Sequence, residues 1–112
     1  MAESIAFRPT SDVCDDHDDA QIVTERFVSL GGVPHAAGPA STVKAHEDNS
    51  KVKEAVAEPG EGRVLVVDGG GSMRRSMVGG NVAAEAAANG WAAIIVYGAV
   101  RGTLAPGLMR KA

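Results

Sequence analysis

Cysteine is almost missing from this chain: Cys14 is the single one among 112 residues. An internal disulfide is therefore excluded, and a reducing, cytoplasmic setting is expected. Aromatic side chains are scarce as well, at 4%, so the core has to be built from Val, Ile, Leu and Ala. Such side chains bury less surface each than aromatic ones, which makes association between subunits useful. No run approaches the ~20 apolar residues that span a bilayer. The opening "MAESIAFRPTSD" lacks the apolar stretch and cleavage site of a secretory leader. An excess of positive charge is absent too. The formal charge is −3, which argues against a protein held on nucleic acid by phosphate contacts.

Several chemical signatures are also lacking. No CxxC or HExxH pattern occurs, and no Gly-Lys-Ser/Thr closes a phosphate loop. A dinucleotide fingerprint counted from Gly69 puts Arg74 where its third glycine belongs. An acidic stretch, "TSDVCDDHDDAQ", starts at Thr10. Read as a calcium loop from Asp12 it fails, with His17 and Val23 at the glycine and glutamate positions. The expectation there is a solvated helix, capped by Thr10 or Ser11 and carrying acids in its first turn.

What is present reads as one α/β domain. Hydrophobic residues are 45% and charged residues 22% of the chain, a globular balance. Gly31-Gly32 and Gly38-Pro39 mark turns, with a strand expected over Ser41–His46. "DNSKVKEAVAEPGEG" reads as a short helix capped by Asp48 or Asn49 and stopped before Pro59 and Gly60. Glu47 and Asp48 could be catalytic acids, but acids at a helix start more often cap it. "RVLVVDG" and "WAAIIVYG" are continuous apolar runs, the pattern of strands buried on both faces. Between them, "GGNVAAEAAANG" is a helix that starts near Gly79–Asn81 and ends on Gly90.

Strand, helix, strand in that order predicts a right-handed crossover between parallel strands. Both strand ends then open on one side, where ligands usually bind. The free amides of the helix start and the Arg101 guanidinium would meet there, a fitting cradle for a carboxylate or phosphate. Against this stands the plainer reading that the glycines only form tight turns. Asp68, at the first strand's end, is expected to bond to turn amides.

"STVKAHEDNSKVKEAV", "GRVLVVDGGGSMRRSMVGGNVAAEAAANGWAAIIVYGAVR" and the earlier "LGG" resemble the RraA-like family. It takes in the regulator of ribonuclease activity A and the 4-hydroxy-4-methyl-2-oxoglutarate aldolases. The resemblance runs from about Phe7 to Arg101. It implies a swivelling β/β/α fold over a single domain, 1–112, and homotrimers with sites between subunits. It also implies a divalent cation, typically magnesium, that holds a 2-oxo acid and stabilises the enolate left by carbon–carbon cleavage. By position, Gly79, Gly80, Asn81 and Val82 match the family's substrate-binding stretch, and Arg101 its substrate-contacting, catalytic arginine.

The departures from the family pattern carry equal weight. The aldolases follow their arginine with a metal-binding aspartate, where Gly102 stands here. Gly80 replaces the acid of a usual Gly-Asp, and glycine offers a hard cation no side-chain oxygen. The tail 102–112 resembles none of the family's continuation. The domain is therefore expected to be incomplete, with C-terminal strands missing through truncation or frameshift. Two functions follow from the resemblance. One is an aldolase or oxaloacetate decarboxylase that releases pyruvate from 2-oxo acids. The other is a non-catalytic regulator that binds an RNase E-type endonuclease without touching RNA, since those relatives also lack the acid after the arginine.

Overall fold

The computed structural model describes residues 8–31 and 35–101, together with the backbone of 108–111. Residues 102–107, Gly102 among them, lie outside the described residues. In chain order the elements are α1 (Thr10–Asp16), β1 (Phe27–Ser29), β2 (Ala40–Lys44), α2 (Ser50–Ala57) and β3 (Val64–Asp68). There follow β4 (Ser76–Val78), α3 (Gly80–Ala88), β5 (Ala93–Tyr97), β6 (Ala99–Val100) and β7 (Leu108–Lys111).

Five strands form one sheet in the order β1-β7-β5-β3-β2. β2, β3, β5 and β7 run parallel, with Leu65 opposite Ser41 and Ile94, and β1 closes the edge antiparallel to β7. The two apolar runs thus become neighbouring parallel strands joined through α3, as the order of elements predicts. Of the residues Val64–Val67, only Val66 is half-exposed. The tail, which the sequence pattern leaves without an element, supplies β7 between β5 and β1. No described helix is long and apolar enough to cross a membrane.

Alternation along β3 and β5 sends Leu65, Val67, Ile94 and Val96 to one face. There they join Val52 and Val56 of α2 and Val82, Ala83 and Ala86 of α3 in a single core cluster. The alanines of α3 let that helix sit close to the sheet. Its end follows the sequence signal: Gly90 takes φ 85°, the left-handed conformation that suits a residue without Cβ.

A second knot lies where both helices end. Trp91 is 7% exposed, and its Nε1 donates to the Glu58 carbonyl at 3.1 Å. The Arg63 guanidinium lies 4.5 Å over its ring while donating to Gly60 O, Ser41 Oγ and Pro59 O. Asn89 Nδ2 donates to Val56 O at 2.7 Å. The C-terminus of α2 is thereby bolted to the turn that leads into β5.

Two local expectations need correction, and a third is narrowed to one of its alternatives. Helix α1 starts at Thr10 with Pro9 as its N-cap residue and no side-chain cap bond, so neither Thr10 nor Ser11 caps it. None of its residues is buried, and Arg8 pairs with Asp16 across it. In α2, Asn49 occupies the cap position without a side-chain bond; Asp48 Oδ1 accepts from Ser50 N at 2.9 Å instead. The segment Gly98–Arg101 is not the end of β5. Its backbone leaves the main sheet after Tyr97 and forms β6, which pairs in parallel with β4 in a separate two-stranded sheet.

Candidate functional site

The ends of β2 and β3 and the β4–β6 pair frame a polar cleft of about 660 Å³. Its lining is Glu47, Asp48 and Asn49 from the β2–α2 turn, Arg74, Arg75 and Ser76 from the segment entering β4, and Arg101 after β6. Three guanidinium groups therefore face two carboxylates.

Both carboxylates are already engaged. Glu47 Oε1 accepts from Ser72 Oγ at 2.9 Å and lies 3.5 Å from Arg74 Nε. The Ser72 hydrogen bond, then the Arg74, His46 and Arg75 charges, hold the Glu47 carboxyl below the usual carboxylate range, against the opposing effect of desolvation. Asp48 is also shifted down, by the Ser50 amide and hydroxyl and by Lys53. Glu47 has φ 56°, a conformation unfavourable for a side-chain-bearing residue. It turns the chain so that its carboxylate reaches across to Ser72, 25 positions later. Of the two acids weighed as helix caps, only Asp48 has that role; Glu47 ties two loops together.

The glycine cluster 69–71 serves its own turn. Gly69 N and Gly71 N both donate to Tyr97 O, at 3.0 and 3.1 Å, and Gly70 N donates to Asp68 Oδ1 at 2.9 Å. Asp68 thus bonds a turn amide, as its position predicts. A Cβ on Gly69 would lie 2.8 Å from Tyr97 O, which is why this close crossing takes no side chain. The tight-turn reading holds for these three glycines, and their amides are not left for an anion.

The second glycine pair differs. Gly79 is the N-cap residue of α3 without a side-chain cap, and open space surrounds the Cβ positions of Gly79 and Gly80. The first-turn amides of Gly80, Asn81 and Val82 have no acceptor within the helix. Arg101 N donates to Val78 O at 2.8 Å, so the Arg101 main chain lies beside this helix start. Its cleft, however, opens toward Glu47–Asn49 and Arg74–Ser76, and Gly79, Gly80, Asn81 and Val82 do not line it.

Arg74 and Arg75 escape a motif-based reading. The available signal was their place six to seven residues beyond the end of β3, on the side where ligands gather. A divalent cation fits this cleft poorly. No three His, Cys, Asp or Glu side chains gather for a metal among the described residues, and the acids present lie beside guanidinium charge. Hard cations need several oxygen ligands, whereas an anion finds donors here.

Known proteins agree with this architecture. A family model described as "RraA-like: Aldolase/RraA" matches residues 10–105. A relative from Alkalilimnicola ehrlichii is 55% identical over 83% of this chain and 58% of its own length. One from Laribacter hongkongensis is 52% identical over 89% of this chain and 64% of its own length. Both bear the name "Putative 4-hydroxy-4-methyl-2-oxoglutarate aldolase". The chain thus spans about three fifths of the length of these relatives. Among solved structures, the RNA-processing inhibitor RraA from Thermus thermophilis superposes with TM-score 0.88 at 38% identity, covering 94% of this chain and 67% of that one. A Geobacillus kaustophilus structure, titled as an S-adenosylmethionine: 2-dimethylmenaquinone methyltransferase, gives 0.85 at 38% identity, over 93% and 68%. With a family model over most of its residues and the same fold in these neighbours, the chain belongs to the RraA-like family.

Proposed function

We propose that the cleft holds the anionic end of a 2-oxo acid, in a lyase of the 4-hydroxy-4-methyl-2-oxoglutarate aldolase and oxaloacetate decarboxylase type that yields pyruvate. The observation that carries this reading is the imbalance in the cleft: three guanidiniums against two carboxylates that are already bonded. A planar guanidinium pairs with a carboxylate through two parallel hydrogen bonds. Arg101 would grip the substrate carboxylate or the oxygen on which charge collects as the carbon–carbon bond breaks, and an already placed donor lowers that barrier without rearranging. The amides of Gly80, Asn81 and Val82 would take another oxygen of a substrate that extends past Val78.

The test is release of pyruvate from oxaloacetate by the purified protein with magnesium, read against magnesium alone. Excess release that falls at least tenfold in Arg101→Met supports the reading. If oxaloacetate binds but no excess rate appears at any metal concentration, catalysis by this chain is refuted and binding remains.

A second reading has its own support. Position 102 carries glycine rather than an acid, and the Thermus neighbour is titled an RNA-processing inhibitor. A protein of this kind would bind an RNase E-type endonuclease through protein contacts, and the exposed acidic helix α1 suits a basic partner. Failure to retain such an endonuclease in a pull-down at physiological salt would reject it.

A further inference from the structure

The two adjacent arginines of the cleft stand in different electrostatic company. Arg74 is opposed at 3.5 Å by Glu47, which Ser72 holds in place. Arg75 has no hydrogen bond to a described residue and no carboxylate within ion-pair distance. The side chain of Arg101 likewise has no hydrogen bond or ion pair with a described residue, while its main-chain N–H donates to Val78 O. Ser76 Oγ donates to Val78 O. The charge available to a ligand therefore resides mainly on Arg75 and Arg101.

These two groups enter the cleft from opposite ends of the small sheet. β4 and β6 pair with Ser76 opposite Ala99 and Val78 opposite Val100. Arg75 immediately precedes Ser76, and Arg101 immediately follows Val100. Their main chains are thus three to four residue steps apart along the ladder, roughly 10–13 Å at the usual strand rise. Side chains of arginine length converging from that distance suit a ligand with an anionic group at each end. A single carboxylate engages one of them and leaves the other charge unused.

We propose that Arg75 is a specificity-determining residue that takes the second carboxylate of a 2-oxo dicarboxylate whose 2-oxo acid end is held by Arg101. This rests on the reading of the cleft as a 2-oxo acid site. The substrates of that reading, oxaloacetate and 4-hydroxy-4-methyl-2-oxoglutarate, each carry a distal carboxylate, and the inference assigns its recognition to one side chain. Arg74, paired with Glu47, links its loop to the β2–α2 turn.

The test is calorimetric titration of the purified protein with 2-oxoglutarate and with pyruvate, which share the 2-oxo acid end and differ in the distal carboxylate. The wild-type protein should bind 2-oxoglutarate about tenfold or more tightly, the effect of one charge-assisted contact. In Arg75→Gln that ratio should fall toward one, because 2-oxoglutarate loses far more than pyruvate does. Arg75→Lys should restore part of it, and Arg101→Gln should weaken both ligands. If Arg75→Gln leaves the ratio unchanged, or weakens both ligands equally while Arg101→Gln also weakens both, the role of Arg75 is overturned and the cleft reading stands. If neither ligand binds, or if Arg101→Gln alters neither, the cleft reading fails and this inference with it. Circular dichroism of each variant confirms the fold; Arg75 is exposed, so its replacement leaves the core intact.

Discussion

Replacing Trp91 probes the junction that ties the ends of both long helices together. The indole is 7% exposed, donates to Glu58 O at 3.1 Å and lies under Arg63 at 4.5 Å. Trp91→Phe keeps an aromatic face but removes the donor. Glu58 is exposed, so water can replace the lost bond, and the expected loss is about 1–2 kcal/mol. Trp91→Ala also removes the buried ring, for about 3–5 kcal/mol. That is a large share of the ~5–15 kcal/mol that stabilises an ordinary domain. Arg63→Met combined with Trp91→Ala closes a double-mutant cycle. Arg63 has three hydrogen bonds of its own, so only the cycle isolates the stack, expected at about 0.5–2 kcal/mol. Urea unfolding followed by far-ultraviolet circular dichroism serves all variants, since these substitutions remove the sole tryptophan. A Trp91→Ala protein within 1 kcal/mol of wild type (roughly, against the range above), with an unchanged urea slope, would refute the idea that this ring locks the helix ends.

Leu65 is fully buried beneath the helices, and Leu65→Ala should lower stability by about 2–5 kcal/mol, read by the same melts. Gly60→Ala would place a Cβ 2.4 Å from Trp91 N; with main chain on both sides of the clash, soluble yield and melting temperature should drop sharply. Glu47→Gln should alter the acid limb of stability. The folded-state carboxyl of Glu47 titrates below its ordinary 4.5, so its contribution is complete above that pH and disappears as pH falls through the lower folded value. Melting temperatures from pH 7 to pH 3 should show wild type above Glu47→Gln at neutral pH, with the gap closing in acid.

Much of the frame was legible because its signals are local. β3 and β5 announce themselves as unbroken apolar runs, and Gly90 marks a helix end whatever surrounds it. The order strand, helix, strand implies the parallel crossover through chain chirality. Short elements were not legible. β4 spans Ser76–Val78 and β6 only Ala99–Val100, too few residues for a period to show. They are strands because each meets the other, as β7 is one because β5 and β1 flank it.

The site divides along the same line. Sequence spacing placed Arg101 at the end of the second apolar strand; it follows β6 instead, with its main-chain N–H bonded to Val78 O beside the start of α3. Spacing had no means of ranking Arg74 against Arg75, since the difference lies in Glu47, which reaches Ser72 and Arg74 from another loop. Nor could it tell that the amides of Gly69 and Gly71 are consumed by Tyr97. Which segments are helix or strand, and in what order, the chain determined by itself, because neighbouring residues set backbone preference and burial period. Which charges remain free to meet a ligand was decided only by the tertiary structure, because hydrogen bonds and ion pairs between distant segments exist only after those segments have been brought together.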